Sequence, residues 1–302
     1  MIKETTFDVI IIGGSSAGLS AAMALGRSLR KVLIIDSNSP CNRNTIHSHN
    51  LIAHDGDTPL AITTSAKHQV LKYRSVKFLT DLATEGTRTN TGFEIKVKSG
   101  AIYSSRKVLF TTGLIDIMAD IKGFAECWGI SVLHCPYCHG YEVKEEEIGL
   151  IANGDSGFEL SRLIHHWSKK ITLFTNGQSY LTAEQFSKIK KRNIKVDERE
   201  ISMLDHYNGH IKSIKFKDGT EKHVSAVFSR VPFKQHCEIP QQMGCKITEQ
   251  GFLEVDDFGK SSIPGLFAAG DNTSMFRALS IAIAAGTKAG AFINKELIDE
   301  DF

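Results

Sequence analysis

Asp8-Val9-Ile10-Ile11-Ile12-Gly13-Gly14-Ser15-Ser16-Ala17-Gly18 is the stretch on which the fold turns. Residues 8–12 form a β-branched apolar run, the pattern of a strand covered on both faces. Glycines follow at once. Leu19 to Leu29 is then rich in Ala and Leu, and Lys31-Val32-Leu33-Ile34-Ile35-Asp36 is a second apolar run ending in an acid. The order predicts a βαβ unit. Its glycines permit a tight turn and let a pyrophosphate approach the helix N-terminus, and Asp36 stands where ribose hydroxyls would be accepted. Ser15 takes the middle glycine place of G-x-G-x-x-G, but two strands, a helix and Asp36 in register favour dinucleotide binding over a bare strand–turn–helix.

Downstream, Cys41-Asn42-Arg43 through His47-Ser48-His49-Asn50 is polar and follows the acidic strand end directly, so it is expected to run beside the ligand. Its histidines read better as surface or ligand-lining groups than as metal ligands, because no second ligand cluster accompanies them. Cys41 is expected to be a plain buried or half-buried thiol. From Ser75 to Phe110 short alternating runs predict a small β-meander that returns into Thr111-Thr112-Gly113.

A related unit begins at Ile148. Strands are expected at Ile148–Ile151 and Ile171–Phe174, with a helix over Phe158 to Trp167. Its turn, Ala152-Asn153-Gly154-Asp155-Ser156-Gly157, has Ala152 at the first glycine place and brings Asp155 towards any phosphate. The second strand runs into Thr175-Asn176-Gly177-Gln178, with neither an arginine for a ribose phosphate nor a carboxylate for a ribose. A nicotinamide-type domain with a degraded site is the reading. Further on, Ala183 to Arg192 reads as a helix. Gly251 to Asp256 and Gly265 to Asp271 read as paired strands ending in Gly270-Asp271. Ala278 to Asn294 reads as a helix whose face of Ala282, Ala285, Gly286 and Ala289 admits a close backbone.

Between the two units lies Cys135-Pro136-Tyr137-Cys138-His139-Gly140. Two thiols at this spacing can close into a disulfide and reopen, and one of them is commonly ionised near neutral pH. A redox pair is the favoured reading. The alternatives are a fragment of a zinc site with Cys127 as third sulfur, which lacks a second knuckle, and inert buried cysteines. His139 follows Cys138 directly, either as the group that takes and gives the exchange proton or as an exposed turn histidine.

The bulk numbers exclude several classes. At 302 residues the chain has room for two domains, and 41% apolar and 23% charged residues are ordinary globular values. A net charge of +2, with Lys and Arg scattered, argues against a nucleic-acid partner. No apolar run is long enough to cross a bilayer, and Met1-Ile2-Lys3-Glu4-Thr5-Thr6 lacks the cationic start of a leader, so a cytoplasmic location without membrane contact is expected. Six cysteines are too few for a secreted disulfide scaffold.

Taken in order, Gly13-Gly14-Ser15-Ser16-Ala17-Gly18, Asn50, Thr112-Gly113, Cys135 to Cys138, Ala269-Gly270-Asp271 and the Ala- and Gly-rich last helix resemble the low-molecular-weight thioredoxin reductase-like flavoproteins over nearly the whole chain. The resemblance implies an α/β fold of two Rossmann-like, three-layer domains and a homodimer. It places an FAD domain at 1–115 and 246–302, and an inserted redox-disulfide domain of degenerate nicotinamide type at 116–245. It implies that Cys138 faces the flavin, that Cys135 attacks the substrate disulfide, and that Asp271 meets the ribityl and phosphate region. FAD is thus expected on Gly13–Gly18, Asp36, Arg43, Asn50, Thr112, Gly113, Gly270 and Asp271.

Three departures stand out. His139 replaces the family's aspartate acid–base residue, Ala152 and Asn153 spoil the nicotinamide turn, and the arginines that select NADPH are absent at Thr175-Asn176-Gly177. Cys-Pro-Tyr-Cys-His-Gly-Tyr-Glu also resembles fungal dithiol oxidases acting on small natural products, and the lost nicotinamide site resembles ferredoxin-linked reductases. The leading expectation is a flavin disulfide reductase for a thioredoxin-like protein, with Cys135, Cys138 and His139 catalytic and a donor other than NADPH, a ferredoxin among the possibilities. The second is a dithiol oxidase that uses O2 on a small dithiol and forms peroxide. The third is a non-catalytic FAD- or zinc-binding sensor.

Overall fold

The computed structural model describes residues 5–302; residues 1–4, on which part of the expectation about a leader rests, lie outside the described residues. The chain divides into two compact units. The first comprises the described residues up to Arg43 with Pro59–Ile115 and Phe233–Phe302, and the second Asn44–Thr58 with Asp116–Pro232.

The first unit is built on β1 (Thr6–Ile12), α1 (Ser16–Arg27) and β2 (Val32–Asp36). β1 and β2 pair in parallel with Ile10 against Leu33 and Ile12 against Ile35. Both strands are apolar throughout because both faces are covered. A helix, α2 (Pro59–Val70), precedes β3 (Val76–Thr80), which pairs in parallel with β2. Then β4 (Ala83–Thr89), β5 (Gly92–Val97) and β6 (Ile102–Phe110) run antiparallel to one another. The meander expected from residue 75 therefore starts at Ala83, since Val76–Thr80 joins the parallel layer instead. Sheet order is β3-β2-β1-β6-β5-β4, with the strand Leu266–Ala268 also parallel to β6. The chain leaves β1 towards β2 on one side and meets β6 on the other. That reversal opens a crevice at the strand C-termini, where the Gly13–Gly18 turn lies.

The C-terminal helix is longer than expected, Leu279–Asp301, and lies against α1. A methyl group on Gly286 would stand 2.0 Å from the carbonyl oxygen of Ala17, and one on Gly290 2.7 Å from that of Ala21. The Ser20 hydroxyl donates to the Ile283 carbonyl across the seam. The helix is also held by charge: the buried Lys107 ammonium meets Glu296 and Glu300, and Glu296 meets Lys260. These pairs hold both carboxyls below the usual range against the opposing effect of burial.

Residues 252–256 do not form the expected regular strand; the segment makes only isolated bridges, Ile247 to Leu253 and Val255 to Ser261. The first unit resumes at Phe233, not at 246. Phe233–Gln235 pairs with Leu114–Asp116, and Ile239 and Cys245 are buried in the same core as Phe7 and Ile95.

The second unit repeats the pattern. Its parallel sheet has the order Lys195–Asp197, Ile171–Phe174, Ile148–Ile151, Ala226–Ser229 and Val132–Leu133. Its helix is Gly154–Ile164, starting four residues before the expected Phe158. Ile201–Tyr207, His210–Phe216 and Glu221–His223 add an antiparallel sheet. Among the described residues no helix is long and apolar enough to cross a membrane.

Candidate active site and nucleotide turns

In the first unit the turn is wound tightly. Gly13 has φ 107°, and a methyl group there would lie 2.4 Å from the Thr111 carbonyl oxygen; one on Gly18 would lie 1.9 Å from the Gly13 carbonyl oxygen. Thr111 clamps the turn, its hydroxyl donating to Gly13 O at 2.7 Å. Asp36 faces the same turn: Oδ2 accepts from the Gly14 amide and Oδ1 from the Asn38 amide at 2.7 Å. Ser15 caps α1 through its backbone alone, with no side-chain hydrogen bond to the helix, and Ser16 and Ala17 begin the helix. Gly270 (φ 95°) sits where a methyl group would be 3.1 Å from Ala17 Cβ. Asp271 lies 3.6 Å from the Arg277 guanidinium and 4.0 Å from Cys41 Sγ. Cys41 is exposed, which corrects the expectation of a buried thiol; its loop turns outward after Pro40 with Arg43 donating back to the Pro40 carbonyl.

Among the described residues, Thr112 Oγ1, Gln235 Oε1 and Asn272 Oδ1 of this unit are buried without a hydrogen-bond partner. Buried polar atoms of this kind are costly unless a ligand or water meets them. Thr112 follows the clamp residue Thr111, and Asn272 follows Asp271. Unpaired polar atoms beside a glycine cradle, a helix N-terminus and a carboxylate at the strand end fit the needs of a flavin dinucleotide. Sequence reading named Thr112 but missed Gln235 and Asn272, whose local context carries no signal.

The second unit holds the cysteines. Cys135 caps a single turn of helix, Pro136–His139, and its sulfur lies 2.8 Å from that of Cys138. Both are free cysteines in this structure, with the Cys138 thiol donating to Cys135. This hydrogen bond, joined by the Cys138 and Tyr137 amides and opposed by burial, lowers the Cys135 pKa to about 6. Cys127 is different: it is fully buried, and burial pushes its thiol up. Among the described residues no group of three or more His, Cys, Asp or Glu is gathered to hold a metal.

An alkylation experiment checks the thiolate directly. The rate of Cys135 modification by iodoacetamide is expected to rise with a midpoint near pH 6, against about 8.5 for a free thiol. Because the folded value is depressed, the reactive form dominates above pH 6 and is lost as pH falls through it. Cys138→Ala removes the largest cause, so its midpoint moves upward; an unmoved midpoint would reject the hydrogen bond as the cause.

His139 is half-buried, and burial holds its imidazole below the usual histidine range, with Glu142 opposing and His49 adding to the effect. It is neutral at pH 7 and able to accept a proton. Trp167 braces the turn: its ring meets Tyr137 edge-on at 5.5 Å, and a methyl group on Gly140 would lie 2.8 Å from the indole. The sequence reading placed Trp167 at the end of the helix. It lies beyond the helix end at Ile164 and packs on the cysteine turn instead. Phe158 is buried in the unit's core. Asn50 belongs to this unit, with φ 61° and its amide donating to Asp55 Oδ1.

The second glycine turn is filled by its own side chain. Asn153 Oδ1 accepts from the amides of Gly154 and Tyr180, both at 2.8 Å, while Nδ2 donates to the carbonyls of Thr175 at 3.2 Å and Gln178 at 2.8 Å. Two donors and two acceptor positions make this carboxamide fully satisfied. Asp155 accepts from Gln185 Nε2 at 2.7 Å. The helix N-terminus that would meet a phosphate is therefore capped from within.

A fold of two parallel-sheet units, one with a tight glycine turn facing Asp36 and one carrying a Cys-x-x-Cys pair, is that of a flavin-linked disulfide oxidoreductase. The chain belongs to the pyridine nucleotide-disulphide oxidoreductase family, whose model matches residues 7–287. Thioredoxin reductase tcpT of Claviceps purpurea is 30% identical over 99% of this chain and 96% of its own length. Thioredoxin reductase aclD of Aspergillus oryzae is 30% identical over 96% of each. Among solved structures, TrxB of Bacillus anthracis superimposes with a TM-score of 0.94 at 31% identity, covering 98% of this chain and all of that one. The chain is thus a thioredoxin reductase-like, FAD-dependent oxidoreductase with two Rossmann-like domains.

Proposed function

We propose that the chain moves electrons between FAD and the Cys135–Cys138 pair to reduce a thioredoxin-like disulfide, with an electron donor other than NADPH. The site residues are those of the sequence reading: Cys135, Cys138 and His139 for exchange, and Gly13–Gly18, Asp36, Arg43, Asn50, Thr112, Gly113, Gly270 and Asp271 for FAD. A homodimer, a ferredoxin as donor and a cytoplasmic location belong to the same reading. The observation that carries it is the Cys135 sulfur, held as a thiolate near neutral pH by its neighbour 2.8 Å away.

FAD, when bound, supplies a two-electron carrier. The protein's part is thiol chemistry. Cys135 thiolate attacks one sulfur of the substrate disulfide, forming a mixed disulfide and expelling a thiolate, which takes a proton. Cys138 then loses its proton to His139 and attacks Cys135 Sγ, releasing the second substrate thiol and leaving the Cys135–Cys138 disulfide. Neutral His139 at the end of the short helix suits this proton transfer. The same neutral base supports a second reading, a dithiol oxidase using O2, because a dithiol substrate must be deprotonated before it attacks.

Asn153 supports the exclusion of NADPH, since a phosphate would have to displace four hydrogen bonds. Anaerobic addition of NADPH or NADH is expected to leave the flavin absorbance unchanged, while dithiothreitol bleaches it. Rapid bleaching by NADPH would overturn this part of the proposal. On readmitting air, slow recovery favours the reductase and fast recovery with peroxide favours the oxidase.

A further inference from the structure

The loop 44–58 packs in the same unit as the cysteine turn, although Asn44 and Cys135 lie far apart in sequence. Its residue His49 presents its ring edge-on to His139, with centroids 6.5 Å apart and planes at 90°. The two nitrogens of His49 point at two carboxylates: Nδ1 lies 3.5 Å from Asp55 Oδ2, and Nε2 3.6 Å from Glu142 Oε1. The Asp55 side chain is 67% exposed and that of Glu142 39%, against 22% for His49. The loop is tied shut by Ser48 N–H to Asp57 O and Gly56 N–H to Ser48 O, both 2.8 Å. Asn50 N–H binds Asp55 Oδ1 at 2.7 Å and so aims its carboxylate at His49.

We propose that His49, held between Glu142 and Asp55, is a proton relay that connects the His139 imidazole to solvent during thiol–disulfide exchange. The inference deepens the dithiol reading above and rests on it. The need follows from proton accounting. When a thiol attacks a disulfide, one S–S bond forms and one breaks, the attacking sulfur loses a proton and the leaving sulfur gains one. The two events are separated in time, so the proton must wait on a base. His139 is neutral and open to it but holds it poorly, because burial disfavours the charged ring. The titratable groups around His139 are Cys135 and Cys138 on its own turn, Glu142 one helical turn on, and His49 from the loop, with Asp55 behind His49. Among the described residues, the His49–carboxylate set leads from this half-buried ring to exposed oxygens. His49 acts through His139 and is a positioning residue, not a catalytic one.

The test needs neither flavin turnover nor the natural substrate. The purified protein is oxidised with diamide, and reduction of its Cys135–Cys138 disulfide by dithiothreitol is followed by quench and mass-tag alkylation across pH in a dilute phosphate buffer. His49→Ala is expected to slow this exchange by roughly tenfold near pH 7, a part of the 10²–10⁴ that direct acid–base catalysis supplies. Added imidazole restores the rate, and the variant's pH midpoint moves upward. Glu142→Gln moves the midpoint in the opposite direction, and Glu142→Asp restores part of the rate. A merely structural role would give no imidazole rescue; the opposed shifts report only the charges facing His139. A His49→Ala rate equal to wild type, or a loss that imidazole does not repair, overturns the relay. Failure of the wild-type protein to form the disulfide at all overturns the dithiol reading itself, and the relay with it.

Discussion

Cys135→Ser is expected to lose thiol–disulfide turnover by on the order of 10³-fold or more while keeping its flavin. The loss is large because the sulfur is the reacting atom. A serine hydroxyl at the same place is un-ionised at neutral pH, and a C–O bond cannot take part in disulfide exchange. The flavin stays because the glycine turn, Asp36 and Thr112 belong to other segments of the chain. The measurement is turnover with a dithiol or a small disulfide protein beside the flavin-to-protein absorbance ratio. Full activity in this variant would reject Cys135 as nucleophile. Cys138→Ser gives the complementary result: attack proceeds, resolution does not, and a mixed disulfide on Cys135 accumulates as a mass adduct.

Gly18→Val is expected to lower both flavin content and thermal stability. A methyl group at Gly18 would stand 1.9 Å from Gly13 O and 2.8 Å from Thr111 Oγ1, so backbone must move to admit it. Overpacking of this kind costs about 1–3 kcal/mol, which spent on binding alone is roughly a 5- to 150-fold loss of FAD affinity. Gly157→Ala is the control. It holds the matching place in the second turn, where the methyl group would lie 3.3 Å from Ala152 O. Flavin content of that variant should stay near wild type, whatever small change the tight 3.3 Å contacts make to its melting temperature. If Gly18→Val kept full flavin, the turn would not be the dinucleotide cradle.

The parts of the fold legible in the sequence were those written in continuous apolar runs. Ile148–Ile151 and Ile171–Phe174 form strands over the expected bounds, and Asp8–Ile12 falls within β1, because buried parallel strands need no alternation to announce themselves. Residues 252–256 look like a strand by the same measure, but this segment pairs through isolated bridges and scattered backbone hydrogen bonds instead of a ladder. Of the site, the residue types were readable and their neighbours were not. Asn153 was visible as a lost glycine; that its carboxamide plugs the turn depends on Thr175 to Tyr180, which fold back onto it. His49 read as a surface or ligand-lining histidine, and its place beside His139 comes from a loop packing on a distant turn. Cys41 was misjudged because a thiol's burial is set by the path of its loop, which local composition does not encode.

The seam between α1 and the C-terminal helix has a consequence for how the molecule is made. Gly286 and Gly290 close on Ala17 and Ala21, so α1 waits for a helix made much later to acquire its partner. The second unit has no such wait, since its final segment ends at Pro232. On a ribosome the dithiol-bearing unit can therefore close while β1, α1 and β2 still lack a cover. Through that interval the apolar face of α1 is exposed to chaperones and to other nascent chains.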